Sequence, residues 1–151
     1  ISFSTQQMVG TEGARTLSLD ADIVVARGIT CKALREHHPK VPAVEIPVTG
    51  YDVLLALEEC RRAHGARRVA IIGAENMIFG APSLNHVLDL EVRCYRIGDE
   101  REAPGRISAA IGDGADAIVG GLTVYNAARD ASLPCTWIRS GPDALRQAAP
   151  T

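Results

Sequence analysis

Four short turns in this chain carry residue types that can hold an anion: Gly28-Ile29-Thr30, Thr49-Gly50-Tyr51-Asp52, Gly121-Leu122-Thr123 and Ser140-Gly141-Pro142-Asp143. Each follows an apolar run and opens a helix-forming stretch. Such a turn offers backbone amides, a hydroxyl and the positive end of a helix to a carboxylate or phosphate. Arg27 and Arg139 each stand directly after an apolar run, one in each half of the chain. A guanidinium fork matches a carboxylate at two points, so two of them across a gap could clamp a polycarboxylate. Arg27, set against the glycine turn, is the stronger candidate. Asp52 and Asp143 argue the other way, because each puts negative charge where an anion would sit. Taken singly, each turn reads equally well as an ordinary helix cap, and Thr49 and Asp52 have the spacing of a capping box.

Three further positions bear on chemistry. Tyr51 offers a hydroxyl on an apolar body. Asn76 could hydrogen-bond a ligand, Glu75 beside it could cap a helix, and the apolar Met77-Ile78-Phe79-Gly80 that follows suits an interface or a cleft wall. Cys31 falls on the first turn of a helix, where a thiolate is stabilised. It supports an alternative reading, a racemase or isomerase of small carboxylates with Cys31 as nucleophile or base. Two-lobed enzymes of that kind use a cysteine from each lobe, and the second half has Val124 at the matching place. No metal site is expected: His37 and His38 are adjacent, and His64 and His86 stand alone. There is no Walker A sequence and no GxGxxG after the first strand, and no cofactor is expected; GxSxG is absent, and nothing resembles a Ser-His-Asp arrangement.

The elements that must position these residues alternate regularly. Apolar runs at 22–26, 43–46, 69–73, 91–97, 117–119 and 135–138 read as strands. Helical stretches lie between them, the longest at 51–64, stopped by Gly65. Residues 99–111 read as helical, with Pro104-Gly105 interrupting the start. This alternation predicts an α/β fold with parallel sheets. Residues 21–54 and 115–145 also read alike: Ala-Asp, strand, Gly-(Ile/Leu)-Thr, helix, Pro, strand ending in Ile, (Thr/Ser)-Gly-x-Asp, helix. The duplication predicts two related lobes whose helix starts face a shared cleft at the carboxyl edges of the sheets. The first lobe is expected over residues 1–50 and the second over 51–151, with the C-terminal helix rejoining the first. Residues 2–14 read as helix or loop with no strand before them, so the first lobe is expected to be incomplete, in a piece of something longer.

Composition narrows the function classes. The 151 residues are 46% hydrophobic and 23% charged, enough for a sizeable core, and the net charge of -2 lacks the basic excess of a nucleic-acid binder. No apolar run approaches the ~20 residues that span a membrane, and no signal peptide is visible. Four cysteines without a CxxC pair suit reduced, mostly buried thiols and a cytoplasmic protein.

The motifs as a set, Ala26-Arg27-Gly28-Ile29-Thr30, Val44-Glu45-Ile46-Pro47-Val48-Thr49-Gly50-Tyr51-Asp52, Ile72-Gly73-Ala74-Glu75-Asn76 and Val119-Gly120-Gly121-Leu122-Thr123, resemble the sensory domain of propionate-catabolism activators of the PrpR type. The resemblance runs from about Ala21 to Ala148. It implies the effector-sensing domain of a sigma-54-dependent transcription activator, not an enzyme, with ATPase and DNA-binding modules following in the parent protein. It further implies two chelatase-like α/β/α lobes and a polycarboxylate such as 2-methylcitrate bound between them. Arg139 and the shortened turn at Gly120-Gly121 depart from the expected pattern, which leaves the effector open. On this reading the ligand-binding residues are Arg27, Gly28, Thr30, Thr49, Gly50, Tyr51, Asn76, Gly121, Thr123 and Ser140. A homodimer is expected, with no direct contact to nucleic acid or membrane. A third reading is an interaction module whose lobes serve dimerisation.

Overall fold

The computed structural model describes residues 2–6, 8, 10–78 and 80–148. The first lobe comprises α1 (Gly10–Thr16), β1 (Val24–Ala26), α2 (Gly28–His37) and β2 (Ala43–Glu45). Its two strands pair in parallel, Val24 opposite Ala43 and Ala26 opposite Glu45. Ala14 of α1 and Ala33 and Leu34 of α2 are buried against Val24, Ala26 and Ala43, so the helices cover one face. The other face carries Ile23 and Val25, the latter 52% exposed.

The chain then crosses to the second lobe through α3 (Gly50–His64). Thr49 accepts a hydrogen bond from the Asp52 amide, and the Asp52 carboxylate accepts one from the Thr49 amide, completing the expected capping box. Gly65 ends the helix at φ 63°, a left-handed conformation that glycine adopts without strain. There follow β3 (Arg68–Gly73), α4 (Glu75–Ile78), a 3₁₀ turn (Ala81–Leu84), α5 (Asn85–Leu88) and β4 (Glu91–Arg96). A second 3₁₀ turn (Glu100–Glu102) leads into α6 (Ala103–Gly112), β5 (Ala117–Gly120), α7 (Leu122–Asp130), β6 (Cys135–Trp137) and α8 (Pro142–Ala148). Pro104 does not break the helix, because it sits in the first turn, where a missing N–H costs nothing.

The four strands of this lobe are all parallel, in the order β4-β3-β5-β6. Both faces of the sheet are covered, which is why β3 and β5 read as continuous apolar runs without alternation. Val53, Ala56, Leu57 and Cys60 of α3 pack on Val69, Ile71, Ala117 and Val119. Ile107 and Ala110 of α6, with Val124 and Ala128 of α7, pack on Ala70, Ile72 and Ile118 from the other side. All four cysteines are free thiols; Cys31 and Cys60 are buried and Cys94 and Cys135 partly so.

The duplication extends to single hydrogen bonds. In the first lobe the Val24 amide donates to Pro42 O at 2.9 Å and the Ile46 amide to Ala26 O at 2.8 Å. In the second, Ile118 donates to Pro134 O at 2.9 Å and Ile138 to Gly120 O at 2.8 Å. This register equates Ala26 with Gly120 and Arg27 with Gly121, the N-caps of α2 and α7. The sequence motif had matched Gly28 to Gly121, one residue away. Thr30 and Thr123 therefore lie inside the first turns of their helices and neither caps one. Val25 corresponds to Val119, which is fully buried beneath α3.

A joint and a cleft between the lobes

Where the two lobes meet, Arg27 turns back onto the segment after β6. Its Nη1 donates to Ser140 Oγ at 2.8 Å, and its Nη2 donates to the carbonyl of Ile138. Burial pulls the Arg27 guanidinium below the ordinary arginine range, and the charge of Asp52 offsets part of that. Asp52 is only 5% exposed. One of its oxygens accepts from the Thr49 amide at 2.9 Å and the other from the Gly141 amide, also at 2.9 Å. The negative charge at the start of α3 is thus used internally, to tie residues 138–141 to the crossing between lobes. Arg27, Thr49 and Ser140 come together in this joint, with Gly50 at its margin.

Gly28 and Gly121 approach each other across Met77. A Cβ on Gly28 would stand 3.1 Å from Met77 Sδ, and one on Gly121 3.2 Å from Met77 Cε. Met77 is 7% exposed, so it fills the space between the two turns. Gly28 also has φ +55°, which disfavours any side chain there.

The open space lies to one side of that plug. A cleft of about 550 Å³ is walled by Gly28, Ile29, Lys32 and Arg35 of α2 and by Glu45 from the first lobe. From the second lobe come Ala74 and Glu75 after β3, Arg96, Ile97 and Gly98 after β4, and Glu102 and Arg106. These lie at the carboxyl edges of β3 and β4, where open α/β sheets bind ligands. Four cations face three carboxylates. Arg96 pairs with Glu75 at 3.0 Å, Arg35 lies 3.6 Å from Glu45, and Glu102 accepts from the Gly98 amide at 3.1 Å. Lys32 and Arg106 have no salt bridge among the described residues.

Among the described residues, Gly28 alone of those expected to bind a ligand lines this cleft. Arg27, Thr49 and Ser140 form the joint, and Gly121 abuts Met77. Thr30 and Thr123 occupy the first turns of α2 and α7, and Gly50 has no neighbour that a Cβ would meet. Tyr51 points outward, 74% exposed. Asn76 belongs to α4, and its side chain, like Phe79, lies outside the described residues. Arg139 does not oppose Arg27. It extends over Trp137, 5.9 Å from the ring centroid, with Glu59 3.8 Å away. Asp143 pairs with Arg146 at 3.0 Å on the surface. Cys31 is fully buried, and burial raises its thiol above the usual range, with Arg35 opposing and Glu45 adding to the shift. Among the described residues no group of three metal-ligating side chains occurs, and no helix is long and apolar enough to cross a membrane.

Sequence reasoning passed over Lys32, Arg96 and Arg106. A signal for Lys32 was present: it follows Gly28 by one turn, on the face of α2 away from Leu34. Arg106 likewise sits between the buried Ala103 and Ile107 of α6.

A model of the family described as propionate catabolism activator matches residues 6–150. No curated protein matches the chain. Among solved structures, the crystal structure of an NtrC family transcriptional regulator from Clostridium acetobutylicum covers 91% of this chain and 72% of its own, with TM-score 0.80 and 24% identity. At that identity the likeness speaks for the fold. An unliganded arylmalonate decarboxylase aligns over 93% of this chain and 74% of its own, at 19% identity and TM-score 0.42, too low to carry an argument. The family match spans both sheets and the joint between them, and on it the chain belongs to the propionate catabolism activator family, a sensing domain of sigma-54-dependent transcription activators.

Proposed function

We propose that this domain senses a small polycarboxylate, of the kind represented by 2-methylcitrate, in the cleft between its lobes. The observation that carries the reading is the pair Lys32 and Arg106, one from each lobe, lining one cleft without a salt bridge among the described residues. A ligand with two separated carboxylates would satisfy both at once, with Arg96 available from its surface pair with Glu75. Backbone amides at Gly28 and Ile29 would supply uncharged donors. Arg27, Thr49, Ser140 and Gly121 act in this reading on lobe orientation through the joint, rather than by touching the ligand.

A ligand that bridges the lobes fits one separation of Lys32 and Arg106 better than others. It therefore shifts the orientation by its differential affinity, and by no more than that. The shift would be passed to the ATPase and DNA-binding modules of a cytoplasmic, homodimeric regulator, with α8 rejoining the first lobe. The domain itself carries out no reaction: the full burial of Cys31, and the upward shift of its thiol, support a packing role over a nucleophilic one.

Titration calorimetry with 2-methylcitrate, citrate and propionate tests the reading. A polycarboxylate should bind, and Lys32→Ala and Arg106→Ala should each weaken it by about 1.5–3 kcal/mol, the value of a charged hydrogen bond. No heat from any polycarboxylate, or unchanged affinity in both variants, would reject it.

A further inference from the structure

The lobes are tied at a second place, away from the joint. Glu100, on the turn that also carries the cleft residue Glu102, reaches the start of α1 in the first lobe. The Thr11 amide donates to both carboxylate oxygens, at 2.8 and 2.7 Å, and Thr11 Oγ1 donates to Oε1 at 2.5 Å. Gly10 makes room for this contact. Its φ is +80°, and a Cβ there would stand 2.7 Å from Glu100 Oε1. α1 is itself anchored to α2 through Ala14, Ala33 and Leu34, so a pull on Thr11 is a pull on the whole first lobe. Next to Glu100, Asp99 lies within electrostatic range of Lys32 on α2. The 98–102 segment therefore faces the first lobe with carboxylates at two points.

We propose that Glu100 is a latch that sets the resting separation of the lobes, so that the width of the cleft is held by this carboxylate as well as by the joint. Hydrogen bonds to an ionised carboxylate are roughly twice as strong as neutral ones. One backbone N–H shared between both oxygens, and a hydroxyl, converge on one carboxylate and form a contact between residues 89 apart in the chain. Losing it leaves the joint as the remaining hydrogen-bonded tie described between the lobes, beside the packing of Met77 and Ile29, so the end of the first lobe that carries α1 is held less firmly.

The test uses the 151-residue chain without ligand, so its failure is distinct from a failure of the sensing reading. Hydrogen exchange is followed at Thr11, and small-angle scattering reports the overall dimensions. In the unaltered chain the Thr11 amide should be protected. Glu100→Gln should speed its exchange about tenfold or more and broaden the scattering-derived dimensions. Gly10→Ala, which drives a methyl group into the carboxylate, should do the same. Glu12→Gln removes only the surface pair with Arg15 on the same helix and should change neither. An unprotected Thr11 amide in the unaltered chain, or a Glu100→Gln variant indistinguishable from Glu12→Gln, would overturn the latch.

Discussion

Asp52→Ala is the sharpest probe of the joint. The carboxylate is buried, and each of its oxygens accepts one backbone amide, from Thr49 and from Gly141. Alanine leaves both donors without an acceptor, at about 1–3 kcal/mol each. It also removes the countercharge that offsets the desolvation of Arg27. Some relaxation is expected at the joint, so a total of about 3–4 kcal/mol is reasonable. In a chain of this length that lowers the melting temperature by roughly 10 °C. Asp52→Asn retains one acceptor oxygen and should cost about half as much. Urea unfolding of Asp52→Ala, Arg27→Met and the double variant completes the measurement. Because Arg27→Met removes the charge that Asp52 compensates, the two changes should be non-additive by about 1–2 kcal/mol. A loss below 1 kcal/mol in Asp52→Ala, or additivity within about 0.5 kcal/mol, would refute the account of the joint.

Two other outcomes follow from the same geometry. Gly120→Ala would place a methyl carbon 2.7 Å from Val124 Cβ and 2.8 Å from the Ile72 carbonyl oxygen, so destabilisation of about 2–3 kcal/mol or more is expected in urea; a neutral result would contradict the packing of α7 on β3 and β5. Glu58 is held at about 2 by hydrogen bonds from Arg61 and Arg62, against an ordinary value of 4.5. A depressed carboxylate stabilises the fold above its unfolded value and loses that contribution as pH falls. The melting-temperature gap between the unaltered chain and Glu58→Gln should therefore be full above pH 4.5 and vanish by about pH 2; a pH-independent gap would show that the pair contributes nothing through charge.

Much of the fold was legible because it is local or repeated. The capping box at Thr49 and Asp52 spans four residues, and Gly65 announces the end of α3 by its own conformational freedom. The strand-helix alternation and the doubled motif predict the parallel sheets that the fold contains. The rest of the joint was not legible, because its bonds from Arg27 and from Gly141 link residues 89 to 113 positions apart. Nothing near Asp52 marks Gly141 as the partner of its second oxygen, and nothing near Arg27 marks Ser140. Symmetry also misled: Arg139 has the sequence context of Arg27, yet the aromatic face of Trp137 draws it outward. The apolar Met77 was legible as an interface residue. That it would fill the gap between two glycine turns, displacing the open space toward Lys32 and Arg106, depends on the relative placement of whole lobes.

The bonding at Asp52 has a mechanical corollary. Residues 46–49 carry the chain from one body to the other, and Gly141 is pinned beside Thr49 by the same side chain. Two crossing segments joined through one carboxylate move together, so a change at Thr49 is felt at Gly141. α8 starts immediately after Gly141. A displacement of the crossing would therefore be handed to the first residues of α8 through the Asp52–Gly141 bond, as a tug on one end of a tether is felt at the other.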